Sequence, residues 1–397
     1  MKNNPDEICA RPEKIVVSPQ PSTMPIYPAA VYECQSATQA DRLLSGAEDG
    51  FVYQRDGHPN ASVLSEQCRQ LQGGDELGVA FAQITSTGMS SLALALVAHL
   101  KAGDHVLLSD QLYGRTVRLV TEELGRLGIQ SSQVDMVNLE ATREAIRENT
   151  RMLVVETIAN PLLHVADLKQ LGDMARQTGA AMLVDNTFAT PLIQRPFEQG
   201  ADLVMESMSK ILNGHGDVMM GMLCGKSALA ERVQAASSSW GVTASPFDCW
   251  LASRGLATAH LRVERASENA NHLAVMLEAH PAIHRVYYPG LASHPTHTTA
   301  CRILGGTRFG NMISVEFASG RAGVDRFISL SRSIAFCPSL GEIATTISHP
   351  RSTSHRGMPA ETAEKMGITE GLLRISCGVE SGDFLENEFI TILNALD

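Results

Sequence analysis

Four short segments of the sequence place polar or charged side chains among apolar neighbours, where they could bind and transform a small molecule. The first, STGMS at residues 86–90, opens a predicted helix. A glycine lets the backbone approach a ligand, and the free N–H groups of a helix start bind phosphate. The same residues could equally be an ordinary helix cap. Taken alone, this segment leaves both interpretations open.

The second and third segments place a carboxylate and an amine after predicted strands. Asp185 closes the apolar run AAMLVDN, where it could be a solvated loop acid, a metal ligand or the partner of a protonated ring nitrogen. Lys210 follows Ser207 and Ser209, whose hydroxyls face the same way if this segment is extended. A lysine in such apolar surroundings either reaches the surface or is an amine nucleophile whose pKa is lowered by burial.

The fourth segment, LLRISCGVE, places Arg374 inside an apolar strand. A guanidinium in that position needs an anionic partner, which is either a structural acid or the carboxylate of a substrate. Tyr113 belongs to a further polar segment, DQLYGR. Its ring could stack on a planar ligand or simply pack against the sheet.

Together these side chains match the parts of one cofactor. A lysine amine suits an aldehyde, an aspartate suits a protonated ring nitrogen, and a helix start flanked by hydroxyls suits a phosphate. Pyridoxal 5′-phosphate carries all three groups. The sequence therefore predicts a site for this cofactor, with an arginine that binds the carboxylate of an amino-acid substrate.

Alternating strands and helices must position these residues. Between about residues 60 and 230, short apolar runs such as DHVLLSD and RMLVVET alternate with segments of helical period. This alternation predicts an α/β fold whose mostly parallel sheet is covered by helices on both faces. Because sites in such sheets form at the carboxyl ends of the strands, we expect all four segments at such ends.

The chain divides into three predicted parts. Residues 1–60 are polar and spotted with proline, which predicts an extended arm that reaches a neighbouring subunit. Residues 61–250 form the large, cofactor-binding domain, and residues 251–397 form a smaller α+β domain. One long helix is predicted from Pro246 to about His280, and another over GRTVRLVTEELGRLGI, which begins at Gly114.

Composition limits the possible partners. The formal net charge is −11, which argues against nucleic acid and anionic membrane surfaces. No apolar run reaches the ~20 residues of a membrane helix. The eight cysteines are dispersed without CxxC spacing, so no metal site is predicted and thiols in a cytoplasmic protein are expected.

The sequence resembles the Cys/Met-metabolism family of PLP-dependent enzymes from Tyr53 to Glu380. That family includes cystathionine γ-synthase, cystathionine γ- and β-lyases, methionine γ-lyase and O-acetylhomoserine sulfhydrylase. The resemblance rests on long segments in the same order, among them YQRDGHPN, STGMSSL, LYGRT, ETIANP, VDNTFATPLIQRPFEQGADLVMESMSKILNGHGD, PSLG and LLRISCGVE. It implies the fold of type I PLP-dependent transferases and a homo-oligomer, expected to be a tetramer, whose dimers share active sites.

The resemblance also implies how the cofactor is held. Lys210 would bind its aldehyde, and Asp185 would hold its ring nitrogen. Tyr113 would stack on the ring and assist proton transfer to the leaving group, so that Lys210 and Tyr113 are the catalytic residues. The residues implied to hold the phosphate are Gly88, Met89, Ser207 and Ser209, together with Tyr53 and Arg55 of the neighbouring subunit.

For the substrate, the resemblance implies that Asn160, Ser339 and Arg374 orient the α-carboxylate. Glu156 is placed at the strand end beside the ring. Arg115 stands where methionine γ-lyases carry a cysteine, and could meet a distal carboxylate or pair with a local acid. Two further departures are Pro338, where γ-synthases and γ-lyases commonly have Glu, and Glu206, where the family usually has His.

The resemblance implies PLP-dependent γ-elimination or γ-replacement on a sulfur-containing or O-acylated amino acid, as in transsulfuration in cysteine and methionine metabolism. One alternative is β-elimination, as in cystathionine β-lyases. Another is sulfhydrylation of O-acetylhomoserine. A non-catalytic relative that acts as a scaffold is the remaining alternative, although the retained lysine, aspartate, tyrosine and arginine speak against it.

Overall fold

Two β-sheets organise the chain in the computed structural model, which describes residue 19 and residues 21–396. The first eighteen residues of the predicted arm, with Lys2, Cys9 and Lys14, therefore lie outside the described residues. The seven described cysteines are all free thiols. No helix in the described part of the chain is long and apolar enough to cross a membrane.

The large sheet has seven strands in the order β1-β7-β6-β5-β4-β2-β3. All of them run parallel except β7, which is antiparallel to both of its neighbours. This confirms the predicted mostly parallel sheet. The strands are β1 (Phe81–Thr85), β2 (His105–Ser109), β3 (Gln130–Val134), β4 (Thr150–Glu156), β5 (Ala181–Asp185), β6 (Leu203–Ser207) and β7 (Gly221–Gly225).

Helices bury both faces of this sheet. Along β4, Met152 and Val154 pack into one apolar cluster while Leu153 and Val155 pack into another, as the alternation of a strand requires. The described α-helices that precede β7 in the chain are α1 (Ala37–Leu44), α2 (Pro59–Leu71), α3 (Gly88–His99), α4 (Gly114–Arg118), α5 (Leu139–Ala145) and α6 (Leu168–Thr178). Those between β7 and the second sheet are α7 (Ala230–Trp240), α8 (Pro246–Leu256) and α9 (Ala259–Glu278).

The second sheet has the order β10-β11-β12-β9-β8 and is antiparallel except for the short pair β10–β11. It forms the smaller part of the fold, as predicted. Its strands are β8 (Ile283–Tyr287), β9 (Met312–Phe317), β10 (Ala335–Phe336), β11 (Thr346–Ser348) and β12 (Leu372–Ser376). The accompanying helices are α10 (His297–Ile303), α11 (Arg321–Leu330), α12 (Ala360–Lys365) and α13 (Gly382–Asn394).

Two long helices predicted from the sequence are interrupted in the structure. The helix expected from Pro246 to His280 is broken between α8 and α9. Beside the break, the carbonyl of Gly255 accepts from Arg262 Nη1 (2.8 Å) and from the backbone of Thr258, where a continuous helix would use the N–H of Ala259. The helix expected from Gly114 stops at Arg118 and continues as a π-helical turn. Such turns widen the backbone and are frequent beside functional sites.

Most described residues of the arm are partly or fully exposed, and hydrogen bonds join it to the rest of the chain. Trp250 Nε1 donates to the carbonyl of Met24, the Ser238 hydroxyl donates to Asp56, and His58 Nε2 bonds the carbonyl of Ala244. The backbones of Val31 and Tyr53, whose side chains are both exposed, pair through one isolated β-bridge. The predicted boundaries at residues 60 and 250, and contact of the arm with another subunit, stay predictions.

Candidate active site

A cavity of about 1470 Å³ opens between the carboxyl edge of the large sheet and the second sheet. It brings together eleven of the thirteen predicted site residues, which come from distant parts of the chain. These are Gly88, Met89, Tyr113, Arg115, Asn160, Asp185, Ser207, Ser209, Lys210, Ser339 and Arg374. Tyr53 and Arg55 are not part of its lining.

The start of α3 forms one end of the cavity. The Thr87 side chain caps the helix by accepting from the backbone of Ser90 (2.9 Å), which leaves the N–H groups of Gly88 and Met89 without an intrahelical acceptor. A Cβ at position 88 would lie 2.9 Å from Cβ of Ser207, so only glycine allows the helix this close to β6. Both interpretations of the STGMS segment therefore hold, since it is a capped helix start whose free donors face a cavity.

Ser207 and Ser209 both line the cavity, but not for the reason predicted. The strand β6 ends at Ser207, and Ser209 lies in the turn that follows. The Ser209 hydroxyl accepts from the backbone N–H of Met220 (2.9 Å), which fixes its position. The turn, and not strand alternation, thus directs the second hydroxyl to the cavity.

Asp185 ends β5 in the middle of the cavity floor. Its Oδ1 accepts from both the hydroxyl (2.6 Å) and the backbone N–H (3.0 Å) of Thr187, and Thr187 Oγ1 accepts in turn from the backbone of Ser207. Burial raises the pKa of Asp185, while the two bonds from Thr187 oppose that rise. The sequence analysis missed Thr187, although a Thr two residues after an Asp is the spacing at which Asp side chains bond their own backbone.

The Lys210 amine lies in the cavity and is hydrogen-bonded to an uncharged side chain. Its Nζ donates to Ser339 Oγ at 3.2 Å. Burial, with the nearby positive charge of Arg374, lowers the pKa of Lys210, and Glu342 acts in the opposite direction. The surface interpretation is thereby excluded, and the amine is a candidate nucleophile and proton carrier.

Arg374 reaches the cavity from the second sheet, where it sits in the middle of β12. The prediction that it lies at the carboxyl end of a parallel strand is therefore wrong. Its Nη1 donates to Asn160 Oδ1 (2.8 Å), and its Nη2 lies 3.5 Å from the carbonyl oxygen of Ser339. Its Nε is buried without a partner, and burial lowers the pKa of Arg374 to about 10.

No acid among the described residues forms an ion pair with Arg374, so the structural-acid alternative fails. A buried guanidinium with spare donor capacity is costly unless an anion binds it. The Nε, Nη1 and Nη2 donors of Arg374, together with the side-chain amide of Asn160, suit a planar carboxylate.

Glu156 is the last residue of β4, and its carboxyl group accepts hydrogen bonds from the backbone of two cavity residues. Its Oε1 accepts from the N–H of Tyr113 (2.6 Å), and its Oε2 accepts from the N–H of Asn160 (3.1 Å). Burial and the charge of Asp185 raise the pKa of Glu156, while these two bonds lower it. One carboxyl group thus fixes the two loops that carry Tyr113 and Asn160.

Two predicted residues lie outside the cavity lining, and a third, Arg115, lines the cavity without contacting the groups described above. Tyr53 is 42% exposed, and the Arg55 guanidinium lies over its ring at 5.2 Å from the centroid. Arg115 is exposed at the cavity mouth, where no acid of the described chain forms an ion pair with it. The local-acid alternative for Arg115 is therefore not what the structure shows.

The arrangement fits pyridoxal 5′-phosphate. Free N–H donors at a helix start suit its phosphate, and a carboxylate whose pKa burial raises gains from a protonated ring nitrogen beside it. The buried Arg374 with an unpartnered Nε suits the carboxylate of an amino acid.

Comparison with known sequences agrees with this fit. The profile of the family described as "Cys/Met metabolism PLP-dependent enzyme" matches residues 14–394. The chain belongs to this family. It is therefore a PLP-dependent enzyme of cysteine and methionine metabolism, and pyridoxal phosphate is its expected cofactor.

Individual relatives differ in the reaction their names describe. Cystathionine beta-lyase MetC of Bacillus subtilis is 40% identical over 343 residues, 85% of each chain. Cystathionine gamma-lyase of the same organism is 38% identical over 367 residues, 92% of each chain. The structure of cystathionine gamma synthase from Xanthomonas oryzae superposes with a TM-score of 0.88 at 34% identity, covering 94% of this chain and 93% of that one.

Proposed function

We propose that the protein carries out γ-elimination or γ-replacement on a sulfur-containing or O-acylated amino acid. The observation that carries the proposal is the half-buried Lys210 amine, which forms no ion pair with a described acid and shares one cavity with Asp185 and Arg374. γ-Chemistry requires two successive deprotonations, at Cα and then Cβ. An amine with a lowered pKa can accept and return protons at both carbons.

The substrate carboxylate would bind at Arg374, Asn160 and Ser339. The Nη1–Oδ1 bond between Arg374 and Asn160 holds the guanidinium plane, so its remaining donors are aimed before the substrate arrives. Ser339 links the two groups, because its carbonyl faces Arg374 and its hydroxyl accepts from Lys210. A carboxylate held there brings its own Cα next to the lysine amine.

Pyridoxal 5′-phosphate supplies an aldehyde for the substrate amine and a ring that delocalises the electron pair left at Cα. Asp185 would hold the ring nitrogen in its protonated form. Lys210 would bind the aldehyde in the resting enzyme and then move the proton between Cα, Cβ and Cγ. Tyr113, whose backbone Glu156 fixes, would donate a proton to the departing sulfur or oxygen.

Product identification tests the proposal directly. With cystathionine, γ-elimination releases cysteine, 2-oxobutanoate and ammonia, and we expect 2-oxobutanoate by mass spectrometry. Added thiol should divert an O-acylated homoserine to a thioether product if replacement also occurs. Absence of turnover across a broad panel of thioether and O-acyl amino acids would contradict the proposal and favour a scaffold role.

β-Elimination is the second candidate, because a cystathionine β-lyase is 40% identical to this chain. It uses the same lysine but needs no deprotonation at Cβ. Cystathionine would then give homocysteine, pyruvate and ammonia. The ratio of pyruvate to 2-oxobutanoate from one substrate decides between the two reactions.

Arg115 is proposed to bind a distal carboxylate, as cystathionine or a succinyl ester carries. The exposed guanidinium lies at the cavity mouth with no described ion-pair partner. Arg115→Gln should raise KM for cystathionine by up to about fivefold and leave KM for methionine unchanged, since an exposed charge pair contributes up to ~1 kcal/mol. Arg126→Gln, at an exposed arginine paired with Glu123, is the matched control. Equal effects on both substrates would refute this role.

A further inference from the structure

A buried acid under the cavity floor takes no part in the mechanism above. Glu206 lies on β6 between Met205 and Ser207, which both line the cavity, so strand alternation directs its side chain to the opposite face. It is fully buried. The groups that bind it are two amides: Gln72 Nε2 (2.7 Å) and Asn186 Nδ2 (3.0 Å) both donate to its Oε1.

Two buried oxygen atoms are left without a partner at this contact. They are Oε2 of Glu206 and Oε1 of Gln72, the second oxygens of the two planar groups that the Nε2–Oε1 bond already joins. If the carboxyl group were ionised, both atoms would be acceptors and both would stay unsatisfied, which is costly in a buried position. A proton on Oε2 would turn that atom into a donor, and one hydrogen bond to the Gln72 amide oxygen would then satisfy both atoms.

We propose that Glu206 is a neutral carboxylic acid, joined to the Gln72 amide by two hydrogen bonds, and that it is a positioning residue for the strand end that carries Asp185. The link runs through Asn186, which follows Asp185 directly. Asn186 donates to Glu206 Oε1 and to the carbonyl of Gln194, and accepts from the Thr157 hydroxyl (2.7 Å). The carboxyl ends of β4, β5 and β6 are thereby tied to each other and to the end of α2.

The surroundings favour the neutral form. Asp185 faces Glu206 from β5, Cys68 from α2 and Cys224 from β7, and none of these groups is a cation. The cation on α2, Arg69, forms ion pairs with Glu66 and Asp75. Burial is the main cause that raises the pKa of Glu206, and the charge of Asp185 adds to it.

A neutral acid here has a chemical consequence. Two adjacent charged carboxylates repel each other, so an uncharged Glu206 leaves Asp185 as the group that ionises when a protonated ring nitrogen binds. This consequence rests on the proposed function, whereas the protonation state and the pairing with Gln72 do not.

Glu206→Gln tests the protonation state in the full chain, with and without pyridoxal 5′-phosphate. The infrared difference between wild type and this variant should show the carbonyl stretch of a protonated acid from pH 6 to pH 9. Carboxylate bands at pH 6 would overturn the proposal.

Thermal unfolding of the same variant gives a second, independent measurement. A glutamic acid whose pKa is raised by folding stabilises the folded state fully at pH values below ~4.3, its pKa in the unfolded chain. This stabilisation is lost as the pH rises towards the pKa of the group in the folded protein. The amide does not titrate and can replace both hydrogen bonds. The melting temperature of Glu206→Gln relative to wild type should therefore rise between pH 5 and pH 9, and a constant difference would contradict the proposal.

Glu206→Ala tests the positioning role. This variant removes the acceptor that Asn186 and Gln72 share. We therefore expect the affinity for the cofactor to fall at least tenfold, and the pH dependence of the bound cofactor's visible absorption to shift. Glu206→Gln should restore both, and Glu231→Gln on the surface of α7 is the control. If Glu206→Ala folds by circular dichroism and binds the cofactor with an unchanged profile, the positioning role is wrong. Failure of the proposed function would show instead as absent wild-type turnover, with the infrared and unfolding results intact.

Discussion

At the residue scale, Lys210 differs from three other lysines in what its amine contacts. Lys169, Lys226 and Lys365 each bind an acid at or near the surface, at 2.8–3.0 Å. Lys210 instead donates to a hydroxyl in the cavity, where burial and a neighbouring guanidinium lower its pKa. The charge state that makes an amine reactive is thus set by what surrounds it.

Lys210→Ala should abolish turnover, by roughly the 10²–10⁴-fold that a positioned general base contributes, or more. Reduction with borohydride should also leave the cofactor attached to wild type and not to the variant, by intact-protein mass spectrometry. Lys169→Ala, a surface variant on α6, is the control and should behave as wild type. Substantial turnover by Lys210→Ala would contradict the proposed role.

Arg374→Lys should raise KM for amino-acid substrates about 10- to 100-fold with a smaller effect on kcat. A lysine keeps the charge but loses the fork of donors, and a hydrogen bond to a charged group contributes ~1.5–3 kcal/mol. Steady-state kinetics with one thioether substrate measure this. Arg308→Lys, at an exposed pair with Glu264, is the matched control, and a pure loss of kcat would argue against carboxylate binding.

At the element scale, the cavity depends on where helices and strands end. The sheet places the ends of β1 and β6 level, because Thr85 and Ser207 both pair with Gly221 of β7. The start of α3 follows β1 immediately and so meets β6 at the cavity. Helix donors and strand hydroxyls reach one point for that reason.

Gly88→Ala should lower the affinity for pyridoxal 5′-phosphate by tenfold or more, because the new Cβ would lie 2.9 Å from Cβ of Ser207 and push the helix start away. Titration of the apoprotein, followed by visible absorption, measures the affinity. The control is Gly125→Ala, whose Cβ would come no closer than 3.9 Å to the Val120 carbonyl. An unchanged affinity would show that the contact relaxes without moving the donors.

At the scale of the whole molecule, the arm raises the question of shared sites. Tyr53 and Arg55 lie outside the cavity lining of their own chain, with exposed apolar residues around them. Their contribution to the phosphate site of another subunit stays a prediction. It requires an oligomer in which the arm crosses to a second copy.

Complementation between two inactive variants tests this arrangement. Arg55→Ala and Lys210→Ala should each be inactive alone. Co-expressed and purified through two different tags, the mixed oligomer should recover activity, because one of its sites then combines an intact Lys210 with an intact Arg55. An inactive mixed oligomer, or a monomer by ultracentrifugation, would exclude sites shared in this way.

The sequence by itself determined the features that are local along the chain. Alternating apolar runs and helical periods identified the mostly parallel sheet, since each pattern is set by neighbours a few residues apart. The segments around Gly88, Asp185 and Lys210 showed where polar groups end such elements. Local pattern erred between Pro246 and His280, where one predicted helix is two, and where Arg262 also bonds the distant carbonyls of Ile211 and Leu212.

Only the tertiary structure decided which groups meet. Arg374 and Asn160 are 214 residues apart and touch because the loop after β4 meets the second sheet, where Ser314 also donates to the Pro161 carbonyl. Glu156 fixes two loops through their backbone N–H groups, and Glu206 faces Gln72 across 134 residues, relations that no spacing along the chain encodes. Hydrogen bonds and burial are properties of packing in space, so the electrostatics of the site arise only once the chain has folded.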